Sequence, residues 1–163
     1  MNLETRNQKL KSRREQIILY APLFIWIAVI LFLGTGQGAS TQTSLIIRPI
    51  LEFLFPNASF ETIAFYHGII RKLAHLTEYG ILAFLACRAF AKSSNDFLLK
   101  YFLLAAVLLV LLVATTDEFN QSFNPERTSS PVDVMIDLAG GVTASLLFYF
   151  FTKRRNQSAS LPV

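Results

Sequence analysis

The sequence predicts an all-α membrane protein, a bundle of four transmembrane helices with a short interfacial helix in the first outer loop. Three observations carry this expectation. Apolar residues make up 53% of the 163 and charged residues only 16%, against about a quarter charged in soluble domains. Four stretches approach the roughly 20 apolar helical residues that a bilayer crossing needs. The remaining charges are grouped rather than spread. The length allows one domain: a basic segment over 1–16, the transmembrane domain over 17–155, and a small, polar tail, 156–163 ("NQSASLPV"), expected to be disordered.

The first span, Ile17 to Leu33, is uncharged, with Pro22 placed to kink it near its start. A cleaved signal peptide is the rival reading, because basic residues precede it. The apolar run is long for that, and Gly36 and Gly38 make a vague cleavage site, so a retained anchor is expected. The loop that follows holds "TSLIIRPILEFLF". Ile46, Ile47, Ile50, Leu51 and Leu54 recur at helical spacing while Arg48 and Glu52 share the other face. Since proline disrupts a helix interior, a short helix beginning near Pro49 and lying in the outer interface is expected, for anchoring more than for substrate capture. A second helix is expected from Ser59 onward, running into the second span, Leu73 to Phe90. The third span is expected over Phe97 to Thr116, with Lys100 able to snorkel, and the fourth over Val132 to Phe151, which carries Asp133, Asp137 and the pair Gly140-Gly141.

Orientation follows from the basic residues. With both termini inside, eleven of the fifteen lie on the inner side; only Arg48, Arg71, Lys72 and Arg127 lie outside, and the acidic residues divide three inside to eight outside. Both ends are therefore expected to face the cytoplasm. No zinc-finger spacing, glycine-rich phosphate loop or basic repeat is present, so a nucleic-acid partner is not expected. The single cysteine, Cys87, sits in an apolar run and reads as a small buried residue.

The stretch "KLAHLTEYG" brings Lys72, His75, Glu78 and Tyr79 into the outer two turns of the second span, on one helical face. The third span leaves the membrane at "TTDEFNQSFNPERTSSPVD". Asp117 and Gln121 there are four apart, Glu118 adjoins them, and Arg127 lies in a short outer loop. The fourth span re-enters with Asp133 and Asp137, again four apart. These groups form one layer about a leaflet deep. Unpartnered charges in a span cost several kcal/mol each, so they pair or face water. A self-satisfied polar plug is the plain account of any one of them. For the whole set it is weaker, because small residues such as Ala139, Gly140, Gly141 and Ala144 already suffice to pack helices in lipid. The concentration points to a site open to the outer surface.

Two ordered pieces, K-x-x-H-x-x-E-Y-x-x-L (Lys72, His75, Glu78, Tyr79, Leu82) and D-E-x-x-Q followed by R, D and D-x-x-G (Asp117, Glu118, Gln121, Arg127, Asp133, Asp137, Gly140), resemble the VanZ-like family. The resemblance spans about residues 71–150. It implies a small bacterial integral membrane protein of the plasma membrane; the founding member is associated with low-level teicoplanin resistance, and no established chemistry comes with the family. Two departures stand out. Asn120 occupies a position where members often carry histidine before the glutamine, leaving His75 as the layer's one imidazole, since His67 precedes the span. Asp137 replaces an asparagine common in the family.

Two functional classes compete. In the first, an accessory or binding protein, Lys72 and Arg127 receive a phosphate or carboxylate of membrane lipid or a lipid-linked cell-wall precursor at the outer leaflet. In the second, a membrane enzyme, Glu78, Asp117, Glu118 and Asp133 are candidate ligands for a divalent cation, with oxygen donors favouring magnesium, calcium or manganese. No cofactor is expected outside that second reading. Binding is favoured: "HLTE" is not H-E-x-x-H, and no serine stands in a nucleophile elbow. A proton-coupled carrier is disfavoured, because the inner halves of the spans lack ionisable groups to complete a path.

Overall fold

A computed structural model describes residues 3–34, 40–123 and 130–159, with side chains over 13–34, 45–123 and 130–154. Among the described residues the regular structure is entirely helical: α1 (Leu3–Gly34), α2 (Ser40–Leu54), α3 (Phe60–Phe90), α4 (Asp96–Lys100), α5 (Phe102–Gln121) and α6 (Pro131–Ala159). Three segments are long and apolar enough to cross a membrane, Arg13–Gly34, Phe102–Gln121 and Pro131–Arg154, which makes this a multi-pass membrane protein. The outer surface agrees. Ile17, Phe24, Phe32, Leu112, Phe150 and Phe151 all point outward, an arrangement that lipid tolerates and water does not.

At the centre stands α3, packed mainly on α6 and α5, while α1 lies against α3 and α5, and α2 packs on α3. The buried cluster is built from small residues, with Ala83, Ala86, Cys87, Ala89, Ala106 and Ala114 all fully enclosed around Tyr79, Leu82 and Val110. This is how helices associate in lipid, where the gain comes from close approach and not from expelling water. Two glycines set the closest crossings. A Cβ on Gly140 would run into the backbone carbonyl of Leu76 on α3, and one on Gly141 would come within 2.7 Å of Val110 Cγ1 on α5.

Several boundaries differ from the sequence expectation. Helix α2 begins at Ser40, well before Pro49, and holds that proline inside it. Over 45–54 the helix is largely exposed, including Pro49 itself, so the carbonyl that proline leaves unbonded is free to turn to its surroundings. Helix α1 continues through Pro22. The third helical stretch is not continuous: Asn95 caps the short α4, accepting from the N–H groups of Phe97 and Leu98, and Tyr101 (φ −112°, ψ 29°) separates α4 from α5. Compensating for this, α5 extends past Thr116 to Gln121, so Asp117 and Glu118 sit inside the helix, not after it. Helix α6 reaches Ala159, four residues into the stretch expected to be disordered. As expected, α3 starts after Ser59, whose hydroxyl accepts from the N–H of Thr62, and runs unbroken for 31 residues.

The Gly140 contact yields a stability test. Gly140→Ala has to separate α3 from α6 and should cost about 1–3 kcal/mol, the usual range for overpacking. At Gly68 an added Cβ meets nothing within 4 Å, so Gly68→Ala should be neutral or stabilising by up to about 1 kcal/mol. Thermal unfolding in detergent distinguishes the two; equal effects would show that the α3–α6 approach is not fixed by Gly140.

Candidate functional site

The polar residues of α5 are ordered along its last two turns. Thr115 and Thr116 return their hydroxyls to carbonyls of the preceding turn, Thr116 Oγ1 donating to Leu112 O at 2.8 Å, and so satisfy themselves on the lipid side. On the inward face Asp117, Glu118 and Gln121 are buried, each 5% exposed or less. Gln121 Nε2 donates to Asp117 Oδ2 at 2.7 Å, the i, i+4 partnership their spacing allows. From α3, the Tyr79 hydroxyl donates to the same oxygen at 3.4 Å, a long and correspondingly weak bond. The end of α1 covers this carboxylate, since a Cβ on Gly34 would overlap Asp117 Oδ1. Only glycine lets the two come so close. Higher on α1, Trp26 Nε1 donates to the backbone carbonyl of Glu78 at 3.0 Å and fixes α1 against α3. The Glu78 side chain is half-buried.

One turn from Tyr79, His75 Nδ1 lies 3.4 Å from Oδ1 of the fully buried Asp137 on α6. That is ion-pair distance, with attraction if the imidazole is protonated, but the angles fall short of a hydrogen bond, and both Asp137 oxygens retain unused hydrogen-bonding capacity among the described residues. Glu118 reaches the residue that precedes α6. Its Oε2 accepts from the N–H of Ser130 at 2.9 Å, while Ser130 Oγ caps α6 by accepting from Val132 N at 3.2 Å. A carboxylate beside a helix N-terminus is stabilised by the helix dipole as well as by that bond. Glu118 therefore ties the end of α5 to the start of α6.

Outside this buried layer, α3 and the first turns of α6 enclose a cleft of about 230 Å³ lined by Gly68, Arg71, Lys72, His75, Ser130, Asp133 and Ile136. Among the described residues neither Arg71 nor Lys72 forms a salt bridge. Its lining thus holds two cations, His75 and one half-buried carboxylate, Asp133.

The ten residues singled out in the sequence divide accordingly. Tyr79, Asp117 and Gln121 form one buried network; His75 and Asp137 form a second contact; Glu118 binds the start of α6; Lys72 and Asp133 line the outer cleft; Glu78 lies between the first two groups. Arg127 lies outside the described residues. Among the described residues no three His, Cys, Asp or Glu side chains converge closely enough to hold a metal ion, so Glu78, Asp117, Glu118 and Asp133 do not meet as one ligand set. Three participants were not singled out from the sequence. Arg71 was visible as the basic neighbour of Lys72, and Ser130 as a helix cap before Pro131. Gly34 gave no signal beyond its place at the end of the apolar run.

A family model described as VanZ/LLP1 matches residues 17–152. No curated protein and no solved structure matches the chain.

The two bonds to Asp117 differ enough to rank. Gln121→Leu removes a short bond to a buried carboxylate and should destabilise the protein by about 1.5–3 kcal/mol. Tyr79→Phe removes a 3.4 Å bond and should cost less than about 1 kcal/mol. Denaturation in detergent measures both, and the reverse order would mean that Tyr79, not Gln121, holds the carboxylate.

Proposed function

The chain belongs to the VanZ/LLP1 family, and from that premise we propose that it binds an anionic head group, a phosphate or carboxylate of a lipid or lipid-linked cell-wall precursor, in the outer cleft. The observation that carries this is the pair of cations, Arg71 and Lys72, without salt-bridge partners among the described residues and set beside the α6 N-terminus in a concave space. Guanidinium matches phosphate or carboxylate bidentately, ammonium adds a point charge, and a helix N-terminus favours a negative ligand. Asp133, also in the lining, disfavours a ligand of excess negative charge.

The topology belongs to the same reading. Helix α3, at about 1.5 Å per residue over 31 residues, is long enough to cross, although the charges at its outer end keep it out of the group of plainly apolar helices. Its burial between α5 and α6 favours a fourth crossing. With four spans the basic asymmetry of the sequence puts both termini in the cytoplasm and the cleft at the outer leaflet. Helix α2, with Ile46, Ile50, Phe53 and Leu54 exposed and Arg48 paired to Glu52 at 2.7 Å, fits an interfacial position beside it. The role is an accessory one in cell-envelope biology, with teicoplanin susceptibility as the cellular readout. A metal-dependent enzyme is the less supported alternative, given how the candidate carboxylates are dispersed.

The test uses the purified protein in lipid nanodiscs with undecaprenyl phosphate as probe and uncharged undecaprenol as control. Wild type should bind the phosphate form preferentially. Arg71→Gln with Lys72→Gln should lower that affinity by about 2 kcal/mol, roughly thirtyfold, and leave thermal stability within about 0.5 kcal/mol, since the one is half-buried, the other exposed, and neither has a salt bridge among the described residues. Unchanged affinity in the double variant would overturn the assignment.

A further inference from the structure

The opposite end of the bundle carries a second cleft, about 680 Å³ in volume, between α3 and α6. We propose that it is a binding site for a diacyl phospholipid with an anionic head group, drawn from the leaflet on the side where α1 begins. That side is fixed within the fold by the hydrogen bond from the Tyr20 hydroxyl to Ser93 Oγ at 2.9 Å, just beyond the end of α3.

The lining has the two parts such a lipid requires. Toward the membrane interior it is apolar: Phe84 of α3 with Leu147, Phe148 and Phe151 of α6. Phe84 and Phe148 meet edge to face with centroids 5.7 Å apart and form its wall. Phe84, Leu147 and Phe151 stay substantially exposed, at 49%, 51% and 68%, so acyl chains reach them from the bilayer. Toward the membrane surface the lining turns basic. Arg88 stands one helical turn beyond Phe84, and Lys92 follows four residues later. Among the described residues no carboxylate lines the cleft and neither cation has a salt bridge.

Arg88 is the informative one of the pair. It is half-buried, and a charge withdrawn from water without a counter-charge is unfavourable. The α3 C-terminus compensates it in part; a phosphate diester seated between Arg88 and Lys92 would complete the pairing, with the guanidinium contributing two parallel hydrogen bonds. A volume within the usual range for small-molecule sites accommodates the glycerophosphate and upper acyl segments while the chain ends remain in the bilayer. Basic pockets between transmembrane helices generally select anionic head groups. This site is independent of the outer cleft: it shares no lining residue with it.

The experiment is native mass spectrometry of the full-length protein extracted from nanodiscs of equimolar phosphatidylglycerol and phosphatidylcholine. Wild type should retain phosphatidylglycerol over phosphatidylcholine by about tenfold. Arg88→Gln with Lys92→Gln should abolish the preference, while Lys100→Gln with Lys153→Gln, which removes the same charge outside the cleft, should preserve it. Leu147→Trp, which fills the cleft and leaves both cations, should also lose the lipid and keeps the test intact if the double-charge variant does not fold. Equal retention of the two lipids by wild type would overturn the proposal, as would equal loss in the two double variants, which would mark a general basic girdle. Complete displacement of the lipid by millimolar inorganic phosphate would also overturn it, by assigning the site to a free anion.

Discussion

Three carboxylates, those of Asp117, Glu118 and Asp137, are enclosed to 5% exposure or less inside a bundle whose outer surface is apolar. A group of this kind is expensive to withdraw from water unless it is hydrogen-bonded, and the rest of the architecture follows from where its partners stand. Asp117 draws Gln121 from its own helix and Tyr79 from α3. Glu118 takes the backbone of Ser130 and so sets where α6 begins. Asp137 faces His75. Each contact joins two points that have to be brought together for the charge to be tolerated, so the carboxylates fix helix register as much as they occupy it.

The close glycine contacts are what make those meetings geometrically available. Gly140 lets α6 approach the backbone of α3 at Leu76, beside His75, and Gly141 lets it approach α5 at Val110. Gly34 does the same for α1 over Asp117. A side chain at any of them would push a helix outward and lengthen the polar contacts. Small residues and charged residues, which read as separate features along the chain, are thus two halves of one arrangement. The closeness of the helices is what shields the charges, and the charges determine which helix faces close.

The helical class and the one-sided layer of polar residues were legible in the sequence because both are periodic: long apolar runs for the first, and spacings of three and four for the second. Asp117 with Gln121 is the clearest case, as their i, i+4 relation determines the contact before any tertiary structure is known. Boundaries were read less well, since they depend on neighbours. The polar residues of "TTDEFNQ" read as helical but as following the span; they belong to it, with Tyr79 and Ser130 supplying polar partners and Gly34 a covering backbone. Pro49 read as a helix start; α2 carries it internally, because an exposed helix tolerates one unbonded carbonyl. The division of the polar set into a buried network and an open cleft was not legible at all. It depends on depth along α3 and on which neighbours cover each level: Tyr79 lies two turns deeper than Arg71 and Lys72, inside the buried cluster, and a single helix sequence does not show which helices stand beside each turn.

The proposed site is reached from outside the cell and is electropositive, where a sealed polar plug would be neither. Position 68 lines the cleft and has room for a side chain, so Gly68→Cys places a reporter thiol there while Cys87 stays buried. The measurement is the rate at which this thiol reacts, in intact cells, with membrane-impermeant methanethiosulfonate reagents of equal size and opposite charge. For an open electropositive cleft, reaction is expected with both reagents, severalfold faster with the anionic sulfonate than with the cationic trimethylammonium reagent, the preference disappearing when Arg71 and Lys72 are both changed to Gln. No reaction from outside, or a faster rate for the cationic reagent, would contradict it.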